Sequence, residues 1–289
     1  MINKFFQTII TLGKVVFKSR YFNSLEKLPF DEVIVLANGP SLARDIENNK
    51  AVFEHSQLAV VNSFCQSDYF FQLKPKNYFL LDPFFFFDSG RIESVEKTIE
   101  IFLNKIDWEI DLHIPYKNRN SLFISELKKR TNFKIHLINY IPAKGGFRFI
   151  NHWLYDLNLA TPQCQNVVAF TTFVLVRRKP KKIFLFGAEN DWHAQIKVNK
   201  ENWLILNDDH VYEKSEEKKA IVLTDYKDKT KKVTMVDLLG SSIKVFKGYT
   251  EIERYAQKKH VKVYNCSKNS MIDAFERLDD DEFTKIMLQ

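Results

Sequence analysis

The stretch Val33-Ile-Val-Leu-Ala-Asn-Gly-Pro-Ser-Leu42 decides the fold. It opens as a short apolar run rich in β-branched residues, the pattern of a strand buried on both faces. The run stops at Asn38-Gly39-Pro40, where glycine permits backbone angles closed to other residues and proline fixes its own φ. Ser41 then leads into residues 43–50, which are compatible with a helix. A strand, a glycine turn and a helix start together place backbone N–H groups at the carboxyl end of a strand, where anions, phosphates above all, bind. The same ten residues also fit an ordinary β–α turn in which Ser41 caps the helix, and at this point both readings stand.

Further apolar runs repeat the theme. Residues 57–61, 77–81, 111–115, 134–139, 182–186 and 261–265 read as strands, with helical patterns between them over 64–73, 92–106, 121–130, 165–178, 233–259 and 270–278. Phe84-Phe-Phe-Phe87 reads as core or as the buried start of a helix. Alternation of this kind predicts an α/β fold: a single Rossmann-like domain over residues 29–289, with a mainly parallel sheet. Ligands of such sheets lie beyond the carboxyl ends of the strands. Those ends carry Asn38-Gly39, Asn62-Ser63, Asp82, Gly187-Ala188-Glu189 and Asn265, and Asn166 stands near the start of the buried helix. His113 and His136 fall inside strands, where they are expected as satisfied polar groups.

Residues 190–232 differ in kind. They are polar and charged, and long polar segments inside a compact domain are typically lids. Within them lies Asn207-Asp-Asp-His-Val-Tyr212. His210 beside Asp208 and Asp209 is a candidate general base, because an imidazole titrates near neutrality. A solvated loop is the plainer reading of the same residues. Asp208-Asp209 is a weak metal signal, with no Asp-x-Asp after a strand, so no metal is expected.

Residues 1–28 begin with a basic amphipathic helix: Phe5, Phe6, Ile9, Ile10, Leu12, Val15, Val16 and Phe17 alternate with Lys4, Lys14, Lys18 and Arg20. It lacks the cleavage site and apolar core of a signal peptide. Residues 1–20 are expected to lie on the inner membrane surface or to pack on the domain. No apolar run reaches the roughly 18 residues of a membrane span. Three scattered cysteines without a CxxC pair fit a reducing cytoplasm. The expected location is therefore cytoplasmic or peripheral on the inner membrane. A net charge of +7 suits a phosphate-rich partner, but no nucleic-acid-binding signature is present, so nucleic acid ranks last. The oligomeric state stays open.

The order of pieces resembles the bacterial sialyltransferases of glycosyltransferase family 42 and, with the same core, the flagellin-glycosylating motility accessory factors. The features that carry the resemblance are Asn38-Gly-Pro-Ser-Leu42, Asn62 after the second strand, and Asp82-Pro83 where those enzymes carry Asn-Pro. Ile183-Phe-Leu-Phe-Gly-Ala-Glu189, the lid histidine and Tyr264-Asn-Cys-Ser-Lys-Asn-Ser-Met271 follow in the same order. The resemblance implies a variant GT-A fold, no cofactor, a CMP-activated nonulosonic sugar donor, a glycan acceptor, and metal-independent transfer with inversion. His210 would be the base. Asn38, Gly39, Pro40, Ser41, Asn62 and Asp82 would bind the nucleotide, with Asn166, Gly187, Ala188 and Glu189 at the same rim. Two segments depart from the family. Its Thr-Ser-Gly at the buried helix reads Asn166-Val167-Val168 here. Its tyrosine-bearing segment reads Asn190-Asp-Trp-His193, so Trp192, His193 or Tyr212 would serve as donors to the leaving phosphate. The Gly-Pro-Ser-Leu core also looks like that of archaeal pterin pyrophosphokinases, which use ATP and Mg²⁺. A non-catalytic nucleotide- or glycan-binding module is the third reading.

Overall fold

The computed structural model describes residues 2–20, 26–206, 221–225, 228 and 230–287. Along the chain run α1 (Ile2–Lys18), β1 (Glu32–Leu36), α2 (Leu42–Asn48), α3 (Lys50–Glu54), β2 (Leu58–Val61), α4 (Asp68–Leu73) and β3 (Asn77–Phe79). Then come α5 (Glu93–Asn104), β4 (Ile110–Pro115), α6 (Leu122–Leu127), β5 (Phe133–Ile138), α7 (Arg148–Asp156), α8 (Val167–Arg177) and β6 (Lys182–Phe186). The last part holds β7 (Ile196–Val198), β8 (Leu204–Leu206), β9 (Ile221–Val222), α9 (Met235–Lys259), β10 (Lys262–Asn265), β11 (Glu276–Arg277) and α10 (Asp280–Met287).

The main sheet has the order β11-β10-β6-β1-β2-β3-β4-β5, and every pairing in it is parallel. The order reverses at β1, which lies between β6 and β2. That crevice is where an open parallel sheet offers a ligand site.

Side chains alternate across the pleat, and the alternation sorts β1 into two cores. Val33 and Val35 join the layer with α7, α8 and α9, while Ile34 and Leu36 join the layer with α2, α3, α5 and α6. Helix α8 lies between sheet and α9 and is buried almost all round, which explains its unbroken apolar sequence. Phe85 and Phe86 are core on the opposite layer, as part of a 3-10 turn.

Residues 270–278 do not form the expected helix. Arg277 donates to the carbonyls of Ser267 and Ser270, holding β11 against β10, and the helix starts only at Asp280. A reciprocal box begins that helix: Asp279 Oδ1 accepts from Glu282 N at 2.8 Å and Glu282 Oε2 from Asp279 N at 3.0 Å. The helix inserts Phe283, fully buried, against Phe53, Phe184 and Phe186. Nor are residues 190–232 simply an unstructured lid: β7, β8 and β9 form a small antiparallel sheet there. His210, Tyr212, Asp208 and Asp209 lie outside the described residues.

His113 corrects a second expectation. It is fully buried between Phe79, stacked at 4.3 Å, and His136, stacked at 4.6 Å, and neither of its ring nitrogens has a hydrogen-bond partner. His136 is satisfied by Asp111 at 2.7 Å. Cys65, Cys164 and Cys266 are unpaired and buried. Among the described residues, no helix is long and apolar enough to cross a membrane.

Candidate functional site

The turn after β1 is closed from within. Gly39 N donates to Gly187 O at 2.8 Å, Leu42 N to Gly39 O at 3.2 Å, and Ser41 N to Glu189 Oε1 at 3.0 Å. Pro40 has no N–H. The backbone donors expected to cradle a phosphate are thus engaged, and Glu189 occupies the place an anion would take. Ser41 does not cap α2 with its side chain either; its hydroxyl donates to Asp45 Oδ2 at 3.0 Å.

What the turn leaves open is an acceptor surface. Asn38 spends its amide N–H on Val61 O at 3.3 Å, which leaves Asn38 Oδ1 buried and without a partner. Glu189 is 5% exposed, and its Oε2 is likewise buried and unpartnered. Burial raises the Glu189 carboxyl above its ordinary range, against the Ser41 hydrogen bonds that lower it. Both residues line a cavity of about 210 Å³ with Gly39, Asn62, Trp192 and Gln195.

A second cavity of about 420 Å³ adjoins it, sharing Asn62, Asn166 and Val167. Asp82, Lys117, Tyr140 and Gln165 complete its wall. Asn62 takes a left-handed φ of 44° and accepts Leu81 N through Oδ1 at 3.3 Å, tying the ends of β2 and β3 together. Asp82 accepts Phe84 N at 3.0 Å, and burial, its largest influence, raises its carboxyl. Among the described residues, Lys117 is the one cation lining the two cavities.

Asn166 belongs to a closed ring of side chains. Its Nδ2 donates to Asn190 Oδ1 at 2.8 Å, Asn190 Nδ2 donates to Tyr249 OH at 2.8 Å, and Tyr249 OH donates to Asn166 Oδ1 at 3.2 Å. The same Oδ1 caps α8 through Ala169 N at 2.8 Å. The ring joins α8, the loop after β6 and α9, fixing the floor where the cavities meet. The segment after β10 braces that loop from behind: Ser267 Oγ accepts Ala188 N at 2.9 Å, and Ser270 Oγ donates to Ala188 O at 2.7 Å. Asn265 is fully buried and bonds Ser267 N and Ile272 O, so it supports the loop and does not face the cavities.

Of the sequence-selected residues, Asn38, Gly39, Pro40, Asn62, Asp82, Asn166, Gly187, Ala188, Glu189 and Trp192 come together along these two cavities. Ser41 lies just behind them. His193 lines neither cavity; its ring packs edge-on against Trp192 and Phe246. Sequence reasoning missed Lys117, which stands two residues beyond Pro115 at the end of β4 and was legible as a strand-end residue. It also missed Tyr249, which sits mid-helix and gives no local signal. Among the described residues, no group of three or more His, Cys, Asp or Glu is placed to hold a metal ion.

No protein-family model matches the chain. No curated protein matches it either. Among solved structures it is similar to one described as the MAf glycosyltransferase from Magnetospirillum magneticum AMB-1, with a TM-score of 0.47 and 12% identity. The match covers 98% of this chain and 41% of that one, so the chain spans about two fifths of the matched protein.

Proposed function

We propose that the chain is an inverting glycosyltransferase that takes its sugar from a nucleotide-activated donor, CMP-linked by preference and of nonulosonic type. The observation that carries this reading is the pair of buried, unpartnered acceptors, Asn38 Oδ1 and Glu189 Oε2, at the crevice where the strand order reverses. Buried acceptors without partners call for hydrogen-bond donors from a ligand. Ribose hydroxyls and an exocyclic amine supply such donors; a phosphate does not. The phosphate of the donor belongs instead near Lys117, whose ammonium suits an anion.

In the reaction, His210 takes the proton from an acceptor hydroxyl. The acceptor oxygen attacks the anomeric carbon as the bond from that carbon to the phosphate oxygen breaks, and CMP leaves with the electron pair. Trp192, which lines the cavity, and Tyr212 stand in for the family's tyrosine-bearing segment, from which this chain departs, as hydrogen-bond donors to the leaving phosphate. No metal enters this scheme. The acceptor is a hydroxyl of a bacterial surface glycan.

The test is turnover of a CMP-activated nonulosonic sugar with and without chelator, for wild type and His210→Ala. Transfer that survives chelator and falls by about 10²–10⁴-fold in the variant, the usual contribution of a positioned base, with CMP affinity kept, supports the reading. Near-normal turnover by His210→Ala removes the base. Activity only with ATP and Mg²⁺ assigns the chain to pyrophosphoryl transfer instead.

A further inference from the structure

Helix α1 is seated with its apolar side outward. The face that meets the protein mixes polar and apolar residues: Thr8, Thr11 and Val15 are buried, and Leu12 packs against the core, while the larger apolar side chains point away. Hydrogen bonds fix that orientation. Thr8 Oγ1 accepts Phe147 N at 2.9 Å, Gln7 Oε1 accepts Gly146 N at 3.1 Å, and Ser19 Oγ donates to Leu159 O at 2.6 Å. The seat is shaped for the helix. Gly145 and Gly146 have positive φ, and a Cβ would stand 2.2 Å from Gln7 Oε1 on the first and 2.6 Å from Thr8 Oγ1 on the second.

The opposite face carries Phe5, Phe6, Ile9, Ile10, Val16 and Phe17, which are 49–81% exposed. Their spacing places them on one stripe. The anchors at residues 146–147 and 159 lie just before and just after α7, which itself exposes Phe149 (71%) and Trp153 (55%). An apolar surface of this extent on a chain with a well-packed core marks a contact site.

Charge identifies what covers it. Helix α1 carries Lys4, Lys14 and Lys18 and no acidic residue. Beside it lies a cavity of about 520 Å³ lined by Lys4, Arg148, Lys247 and Arg254, with Glu251 the one carboxylate among the described lining residues. A second copy of the chain would set these cations against their own kind. An anionic bilayer meets both halves of the surface, with acyl chains for the aromatic and aliphatic stripe and headgroup phosphates for the cations.

We infer that α1, with Phe149 and Trp153, lies in the interface of an anionic lipid bilayer, and that the cationic cavity beside it faces the headgroups. Tryptophan at such a boundary keeps its indole N–H in the wet layer while its ring is buried.

Co-sedimentation with vesicles of phosphatidylcholine, alone or mixed with phosphatidylglycerol, tests this. Wild type binds the anionic vesicles and is released as salt rises. The Phe6→Glu/Ile9→Glu pair, at positions exposed to solvent, weakens that binding by about tenfold or more, with circular dichroism and melting temperature unchanged. Lys247→Glu/Arg254→Glu weakens it for anionic vesicles. Wild-type protein loses a blue shift of its emission on vesicles when Trp153→Phe is introduced. Equal binding by wild type and the Phe6/Ile9 variant, or no binding to either vesicle, overturns the inference. So does a concentration-dependent dimer that the Phe6/Ile9 variant dissolves, since a second copy would then own the face.

Discussion

Glu189 and Gly39 occupy adjoining space that admits no side chain on residue 39: a Cβ there would stand 1.5 Å from Glu189 Oε2 and 2.5 Å from Gly187 O. The contact couples the ends of β1 and β6, with Glu189 Oε1 accepting Ser41 N from 148 residues away in sequence. The glycine is thus required by close approach, and the turn is a socket for a carboxyl group of its own chain.

Gly39→Ala is predicted to destabilise the fold by about 3 kcal/mol, the upper part of the usual cost of overpacking. Urea denaturation would show a lower midpoint with an unchanged slope. Adding Glu189→Ala restores only part of the loss, because the Gly187 carbonyl still blocks the new methyl group. A Gly39→Ala protein as stable as wild type would mean that the turn is looser than described.

Glu189→Gln separates structure from ligand binding. The amide oxygen keeps the Ser41 bond. Burial raises the Glu189 carboxyl above 4.5, so the folded state holds its proton more tightly than the unfolded chain does. Between the ordinary value and the raised one, wild-type stability therefore falls as pH rises. At pH well above that window the Gln variant should be more stable, by about 1–3 kcal/mol, as a buried unsatisfied charge is removed. The difference should vanish below the ordinary carboxyl range, where both states are protonated. Stability curves against pH for the two proteins check this, and an acid-side divergence would contradict it.

His113 predicts the opposite slope. Burial, with smaller contributions from the charges of His136 and Arg178, holds its imidazole well below 6.5. The unfolded chain then binds more protons, and stability is lost as pH falls below the ordinary histidine value. His113→Phe keeps a ring stacked on Phe79 and removes two unpartnered nitrogens. At about pH 5 the variant should gain up to about 2 kcal/mol on wild type relative to their difference near neutrality, where this proton-linked part of the gap disappears. Parallel curves would place the acid sensitivity elsewhere.

The strands were legible because parallel strands buried on both faces must be apolar runs, and the polar residues that end them cannot continue those runs. Asn38, Asn62, Asp82 and Glu189 were found in this way. Their roles were not, because hydrogen-bond partners lie far apart in sequence: nothing near Ser41 says that Glu189 takes its N–H. Helix α7 escaped notice because Asn151 and His152 are buried polar residues that break its apolar pattern. Helix α10 was readable in Asp279-Asp-Asp-Glu282, a capping box ahead of Phe283. The amphipathic pattern of α1 was plain, but pattern alone cannot say which face meets the protein, and here it is the threonine face.

The proposed nucleotide site is the crevice between β1, β2, β3 and the loop after β6. A ligand that binds only the native state raises its melting temperature. The most direct measurement is the thermal shift caused by CMP, with UDP, GDP and ATP as comparisons, in wild type and in Lys117→Ala, whose side chain is exposed. CMP is expected to raise the wild-type melting temperature most, and the shift to drop by about half or more in the variant once the phosphate loses its cation. No shift from any nucleotide, or a CMP shift equal in both proteins, would contradict the proposed site.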